Sequence, residues 1–316
     1  MKIAITCHYA KLPEDHPTWL RAVNSAEVEL SKKPFLSSDE LLEFVQGANA
    51  LISGTDFIRE PLISKLPDSL KVISRPAVGY DRVDIQAARK RGIAVCNAPG
   101  SNAESVADYV IGLMICAVRD ICNNVCDVRN GKWKARRKGF ALSGKTIGII
   151  GLGAIGKCVV PRARGFNMDI MAYDPFMDYA FCEENGVDPV PLDRLLAKSD
   201  IIFLLFPLND GTRSFINKER LAKMKDGVVL VNDARGAVVD HAALYDALCS
   251  GKVGFYAGDV IEPEPPGDMP LIHHENVIIT SHIGADTYEA NEKMMEIALE
   301  NALDVLENKP CKNIVN

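Results

Sequence analysis

No apolar run in this 316-residue chain approaches the length of a membrane span. The longest, Ile201 to Leu208, is broken by Pro207 and falls far short of the roughly 18 residues a spanning helix needs. The N-terminal Met1-Lys2-Ile3-Ala4-Ile5-Thr6 has no long apolar core or cleavage pattern and reads as a short buried strand. No signal peptide is therefore expected, and a cytoplasmic location follows. Positive charge is also scarce: 36 Lys and Arg stand against 42 Asp and Glu, a net charge of -6. The electrostatic footprint of a nucleic-acid or anionic-membrane binder is missing, so any anionic ligand must be held by local chemistry. Aromatic residues make up only 7%, and Trp133, set among basic residues, is expected to be a packing anchor rather than a stacking platform for bases. Internal repeats and low-complexity tracts are absent. The nine cysteines are scattered and odd in number, the pattern of reduced intracellular thiols. Only Cys122 and Cys126 share a helix turn, with no His or further Cys at ligand spacing, so no metal site is expected. His273 and His274 precede a strand without acid or thiol partners and read as surface loop, and His8 reads as a loop residue near a strand end.

What is present is ordinary for a globular chain: 47% hydrophobic and 25% charged residues, with 23 Gly and 17 Pro. The length suits two domains. Short β-branched runs alternate with helical patterns, as in Leu70 to Arg75, Ile85 to Arg91 and Ile93 to Cys96. Further runs lie at Ile147 to Ile150, Asp169 to Tyr173, Ile201 to Leu205, Val228 to Val231 and Val277 to Ile279, most of them apolar on both faces. This is the signature of βαβ units and buried parallel sheets, so the fold class is α/β. The turn Asn97-Ala98-Pro99-Gly100 precedes a capping box of Ser101 and Glu104. A long helix is then marked by Val106, Ala107, Val110, Leu113, Met114, Ala117 and Val118. Met294, Ile297, Ala298, Ala302, Val305 and Leu306 repeat at the same period after Gly284. Two such helices suggest a nested layout, with residues 102–283 inserted into a domain made of 1–101 and 284–316.

Gly151-Leu152-Gly153-Ala154-Ile155-Gly156 places a GxGxxG between a strand and a helical pattern. Gly151 permits the turn, Gly153 lets a pyrophosphate approach the helix N-terminus, and Gly156 allows close packing of helix on strand. The next strand ends in Asp174, at the spacing where an acid meets the adenosine ribose. A carboxylate there repels a 2′-phosphate, and Pro175-Phe176 supplies no basic residue to offset it, so NAD is preferred over NADP.

Three later strand ends carry polar residues: Asn232-Asp233-Ala234-Arg235-Gly236, Asp259 to Pro265, and Thr280 to Gly284. An Arg, a Glu and a His beside a nicotinamide suffice to oxidise a hydroxy acid. Arg235 would clamp the substrate carboxylate or carbonyl as a planar fork. His282 would take the hydroxyl proton, and Glu264 would fix the imidazole and stabilise its imidazolium. With Val78-Gly79-Tyr80-Asp81, Asn97 to Asn102, Val106-Ala107-Asp108, the GxGxxG with Tyr173-Asp174-Pro175, and the three strand ends, the chain resembles the D-isomer-specific 2-hydroxyacid dehydrogenases over nearly its whole length. The resemblance implies a Rossmann NAD-binding domain inserted into a discontinuous flavodoxin-like α/β substrate domain, usually as a homodimer. It further implies catalytic roles for Arg235, Glu264 and His282, a carboxamide contact from Asp259, and substrate binding by Val78, Gly79 and Arg235. Val106, Ala154, Ile155, Phe206, Pro207, Thr212, Asp233, Ala234 and Gly284 match further cofactor-lining positions, with Arg235 and His282 also reaching the cofactor.

The chain departs from the pattern in places. Leu205-Phe206-Pro207-Leu208-Asn209 stands where members often have His-x-Pro-Leu-Thr, Ser281 replaces the usual Pro, and Asp233 puts an acid beside Arg235. Gly54 stands where phosphoglycerate dehydrogenases place a phosphate-binding Arg, although Arg75 remains near the substrate loop. Lys132, Lys134, Arg136, Arg137 and Lys138 read as a solvated charged loop near a dimer seam. No C-terminal regulatory domain is expected. The expectation is an NAD-dependent enzyme interconverting a D-2-hydroxy acid and its 2-keto acid. The alternatives are 3-phosphoglycerate dehydrogenase and, in another class, an NAD(H)-binding dimeric corepressor-like scaffold.

Overall fold

The computed structural model of the protein describes residues 1–34, 36–133 and 137–316. The chain divides into two compact units, Met1–Asn102 with Asp286–Asn316, and Ala103–Ala285. The strands of the first are β1 (Lys2–Ile5), β2 (Glu27–Leu30), β3 (Ala50–Ile52), β4 (Val72–Ser74) and β5 (Ala94–Cys96). Those of the second are β6 (Thr146–Ile150), β7 (Asp169–Tyr173), β8 (Asp188–Pro189), β9 (Ile201–Leu204), β10 (Val228–Asn232), β11 (Val253–Gly258) and β12 (Val277–Ile279).

The first sheet runs β2-β1-β3-β4-β5, all parallel, which is the flavodoxin-like order. Alternation of side chains along each strand divides its core in two. Ile3, Ile5, Ala50, Ile52, Val72 and Cys96 face the final helix Tyr288–Leu306, while Ala4, Leu51, Ile73 and Val95 face Leu41, Val45, Ile63 and Ala88. The apolar stripe of the final helix is rotated from the expected one. Met294, Met295, Ala298, Leu299, Ala302 and Leu303 are buried, whereas Ile297, Val305 and Leu306 are only half-buried. After this helix the chain returns to the open edge of β5, where Val315 N donates to Val95 O at 2.8 Å. That return brings Cys311 Sγ to 3.8 Å from Cys96 Sγ, a thiol neighbourhood that their distance in sequence conceals. All nine cysteines are free.

The second sheet runs β12-β11-β10-β9-β6-β7-β8, again parallel throughout. Renumbered from β6, this is the dinucleotide-binding order with a seventh strand added, and its direction of travel reverses between β6 and β9. The helix Ala103–Arg119 buries the whole expected stripe, from Val106 to Val118, against Ile147, Phe203, Val231 and Phe255. The capping box does not form: the Ser101 hydroxyl donates to Ala98 O at 2.7 Å, and Glu104 pairs with Arg162 at 2.8 Å. Asp120, in the left-handed region at φ 53°, separates this helix from Ile121–Arg129.

Three smaller expectations change. His273 does have an acid partner, Asp268 Oδ1 at 2.6 Å, in an exposed pair. Trp133 is 90% exposed and therefore anchors no core of this chain. Of the basic cluster, Lys134 and Arg136 lie outside the described residues, while Arg137 stacks over the buried Phe255 ring at 4.5 Å, so it is not a solvated loop charge. No helix among the described residues is long and apolar enough to cross a membrane.

Candidate active site

Parallel strands end together, so the loops after β6, β7, β9, β10, β11 and β12 all open at one edge of the second sheet. At the reversal point, Gly151 takes φ 98°, and a Cβ there would stand 2.5 Å from Leu205 O. Only glycine lets the β6 turn close against the end of β9. Gly156 has the same tightness, since its Cβ would stand 2.4 Å from Gly151 O. Gly153 differs, because a Cβ there would meet nothing within 4 Å and would project into open space. Gly153 caps the helix Ala154–Gly165 without any side-chain hydrogen bond. Its first-turn N–H groups and positive dipole end are thus presented to a ligand.

Asp174 braces this loop. Its Oδ2 accepts from Leu152 N at 2.9 Å and its Oδ1 from Phe176 N at 2.8 Å. A carboxylate offers about four acceptor positions, so two sites stay open for ribose hydroxyls. Glycines shaped for a pyrophosphate, an uncapped helix start and a half-buried acid beyond it fit an NAD dinucleotide. Asp174→Ala should lower discrimination against NADP by about tenfold, equivalent to about 1.4 kcal/mol, as read from kcat/KM for the two cofactors. Unchanged discrimination would remove Asp174 from ribose recognition.

The loop after β10 is built by Asn232, which is fully buried. Its Oδ1 accepts from Ala234 N at 3.0 Å, and its Nδ2 donates to Arg235 O at 3.1 Å and to Tyr256 Oη at 3.0 Å. This side chain folds residues 232–235 into a fixed turn and so aims Arg235. Gly236 then lets the turn lie on the β11 loop, because a Cβ there would stand 2.1 Å from the carbonyl carbon of Ile261.

Asp259, 1% exposed, holds the loop after β12. Its Oδ1 accepts from Thr280 Oγ1 at 2.6 Å and Ile283 N at 3.0 Å, and its Oδ2 accepts from Gly284 N at 2.6 Å. These bonds flank His282, which sits in the left-handed region at φ 59°. The His282 Nδ1 lies 3.1 Å from Glu264 Oε2. A carboxylate only accepts, so Nδ1 carries the hydrogen and Nε2 is left to face a reacting oxygen. With 44% of its side chain exposed, the imidazole is reachable.

The structure thus gathers Asp233, Asp259, Gly284, His282 and Glu264 at adjacent strand ends. Several other expected cofactor positions prove to have structural partners. Val106 is buried in the core, 3% exposed. The Thr212 hydroxyl donates to Pro207 O at 2.8 Å and accepts from Asn209 N at 2.7 Å, which folds the β9 loop carrying Phe206 and Pro207. Ala154 is exposed, Ile155 is half-buried and Ala234 is buried. In the first unit, Val78 O accepts from Asn97 Nδ2 at 2.8 Å and Gly79 O from Arg75 Nε at 3.2 Å. Among the described residues, the N–H groups of Val78 and Gly79 have no partner. Sequence reasoning gave no role to Asn232, Gly236, Thr280 or Tyr109. The first three lie inside motifs already singled out, whereas Tyr109 is hidden in an apolar helical stripe.

Residues 111–284 match the family described as D-isomer specific 2-hydroxyacid dehydrogenase, NAD binding domain. The chain is 41% identical over 309 residues to a D-3-phosphoglycerate dehydrogenase of Methanocaldococcus jannaschii, a match covering 96% of this chain and 58% of that protein. It is 40% identical over 288 residues to a hydroxypyruvate reductase of Thermotoga maritima, covering 89% of this chain and 92% of that one. Among solved structures, a glyoxylate reductase from Paecilomyes thermophila superposes with a TM-score of 0.86 at 32% identity, over 100% of this chain and 98% of that one. The chain therefore spans less than two thirds of the phosphoglycerate dehydrogenase and nearly all of the hydroxypyruvate reductase.

Proposed function

The chain belongs to the D-isomer-specific 2-hydroxyacid dehydrogenase family, and we propose that it interconverts an unphosphorylated D-2-hydroxy acid and its 2-keto acid with NAD. The observation that carries the reaction type is the His282–Glu264 pair at 3.1 Å, one strand end from Arg235. NAD, when bound, supplies the hydride acceptor and donor. Arg235 orients the carboxylate and carbonyl of the substrate through its planar fork. His282 Nε2 takes the hydroxyl proton in oxidation and returns it in reduction, while Glu264 holds the ring and offsets the charge it gains. Taken by itself, the first unit offers the N–H groups of Val78 and Gly79 as carboxylate donors.

Gly54 supports an unphosphorylated substrate. A Cβ there would lie 3.0 Å from Cys7 Cα and 3.3 Å from Thr6 O, and Gly54 N already donates to Thr6 Oγ1 at 3.2 Å. A side chain here would press on the backbone of Thr6 and Cys7, and the basic group that a phosphorylated substrate calls for is missing from this position. A homodimer accounts for the helix Ile121–Arg129, where Ile121, Val125 and Val128 form one exposed apolar stripe and Trp133 follows. Nine free thiols suit a reducing cytoplasm.

The test follows NADH oxidation with glyoxylate, hydroxypyruvate, pyruvate, branched 2-keto acids and phosphohydroxypyruvate, alongside sedimentation velocity for the dimer. Turnover of an unphosphorylated keto acid is expected. Preference for phosphohydroxypyruvate would overturn the substrate reading, and tight NADH binding without turnover would replace the enzyme with a dinucleotide-dependent scaffold.

A further inference from the structure

The register of the second sheet places two acids side by side. Asn232 of β10 pairs with Gly258 of β11, so the next residue on each strand, Asp233 and Asp259, leaves the sheet at the same level. Asp259 N still donates to Asn232 O at 3.1 Å, which keeps the two backbones in register at this point. Both carboxyl groups converge on the loop after β12. A Cβ on Gly284 would stand 3.1 Å from Asp259 Oδ2 and 3.2 Å from Asp233 Oδ1. Asp259 has its oxygens committed to Thr280, Ile283 and Gly284. Asp233 is half-buried, and its carboxyl accepts no hydrogen bond among the described residues.

The charged and titratable groups near Asp233 come from its own loop and from the elements beside it. Asp259 approaches from the end of β11, and Arg235 from its own loop, with Nη1 donating to Ala234 O at 2.6 Å. Tyr109 comes from the helix Ala103–Arg119, with its Cδ1 3.3 Å from the same Gly284 Cβ position. His282 lies two residues before Gly284 on the β12 loop. Two carboxyl groups that face one point oppose each other's charge, so the neighbouring Asp259 works against ionisation of Asp233. Burial first, and the charge of Asp259 second, push the Asp233 carboxyl well above the usual carboxylate range, with the Arg235 guanidinium opposing. The Tyr109 phenol is itself pushed up, chiefly by burial, and so stays neutral.

We infer that Asp233, set beside Asp259, is a proton-holding carboxyl against the nicotinamide end of the dinucleotide, expelling its proton when the oxidised ring binds and keeping it when the reduced ring binds. The inference rests on the dinucleotide reading above and assigns Asp233 a positioning role within it. The oxidised nicotinamide carries a positive charge and the reduced ring none. Binding of the cation therefore favours the ionised Asp233 carboxyl, and the charge gained by the site is balanced by the proton released to solvent. Asp233 thereby sets how the preference for oxidised over reduced cofactor depends on pH.

The experiment is calorimetric titration of the full chain with NAD and, separately, NADH, in buffers of different ionisation enthalpy, repeated across pH. Wild type is expected to release a proton fraction with NAD that is absent with NADH. Its NAD affinity should rise with pH, at most about tenfold per pH unit for one linked proton. Asp233→Asn keeps the shape of the neutral acid, and it should lose both the NAD-linked release and the pH slope, each read against the NADH titration of the same variant. Asp233→Ser serves the same purpose should the amide disturb the loop. His282→Ala should retain the release. Equal proton counts for the two dinucleotides, or an undiminished release in Asp233→Asn, would overturn the inference while leaving the dinucleotide reading intact. Loss of the release in His282→Ala would assign the proton to the imidazole and also overturn it. A chain that binds neither dinucleotide fails the dinucleotide reading, and the inference with it.

Discussion

Replacing His282 with alanine should lower kcat by about a hundredfold or more, the usual worth of a positioned proton donor, while NADH still binds. The separation of the two effects follows from the local architecture. The loop that carries His282 is held by Asp259 through the N–H groups of Ile283 and Gly284 and through the Thr280 hydroxyl. None of these bonds uses the imidazole. Removing the ring therefore deletes the proton carrier and leaves the loop in place. His282 also adopts φ 59°, a conformation that asparagine tolerates better than alanine. His282→Asn is accordingly the better-folded control, and it should be equally impaired in turnover. Steady-state kinetics with the preferred keto acid, combined with NADH fluorescence titration, reads both quantities. Near wild-type turnover in either variant would remove His282 from its assigned role. Glu264→Gln should fall between, because an amide can still orient Nδ1 through its carbonyl oxygen but no longer offsets the charge that forms on the ring.

Gly236→Ala should be the most destabilising single methyl addition in the site. The added carbon would lie 2.1 Å from the carbonyl carbon of Ile261 and 2.4 Å from Glu262 N. Those are backbone atoms on a neighbouring loop and cannot rotate aside. Relief requires separating the turn that carries Arg235 from the segment that leads to Glu264. A cost of about 3 kcal/mol, at the upper end for overpacking, corresponds to a loss of about 6–12 °C in Tm for a unit of this size. Turnover should fall further than stability explains, because the displaced turn also misaims Arg235. The matching control is Gly153→Ala, whose methyl would meet nothing within 4 Å. That variant should melt like the wild type and bind NADH more weakly, since its methyl occupies the space in front of the helix N-terminus. Scanning calorimetry and NADH titration distinguish the two glycines. A stable Gly236→Ala with normal turnover would show that the two loops can part without consequence.

Much of the fold could be read from local pattern. The strands Asp169–Tyr173 and Val277–Ile279 have the bounds that their apolar runs announce, and every stripe residue expected in the helix Ala103–Arg119 is buried. The final helix shows where local pattern weakens. Its methionines and leucines offer several overlapping apolar stripes, and the sheet it packs against selects Met295, Leu299 and Leu303 over Val305 and Leu306. Ser101 carries the right residue type for a cap but spends its hydroxyl on Ala98. A turn bond just before the helix competes directly with the cap.

The sequence by itself determined the class of fold, the glycine turn, the acid at Asp174 and the residue types available for catalysis. Each of these depends on residues a few positions apart, where propensity and periodicity act. The tertiary structure alone decided which groups those residues meet. Asn232 folds the Arg235 turn, Asp259 grips the His282 loop, and Asp233 stands level with Asp259 because Asn232 of β10 pairs with Gly258 of β11. Shifting that register by one residue would turn the side chains to the opposite face and separate the two acids. Hydrogen-bond partners and proton affinities are thus properties of strand pairing, which no short stretch of sequence contains.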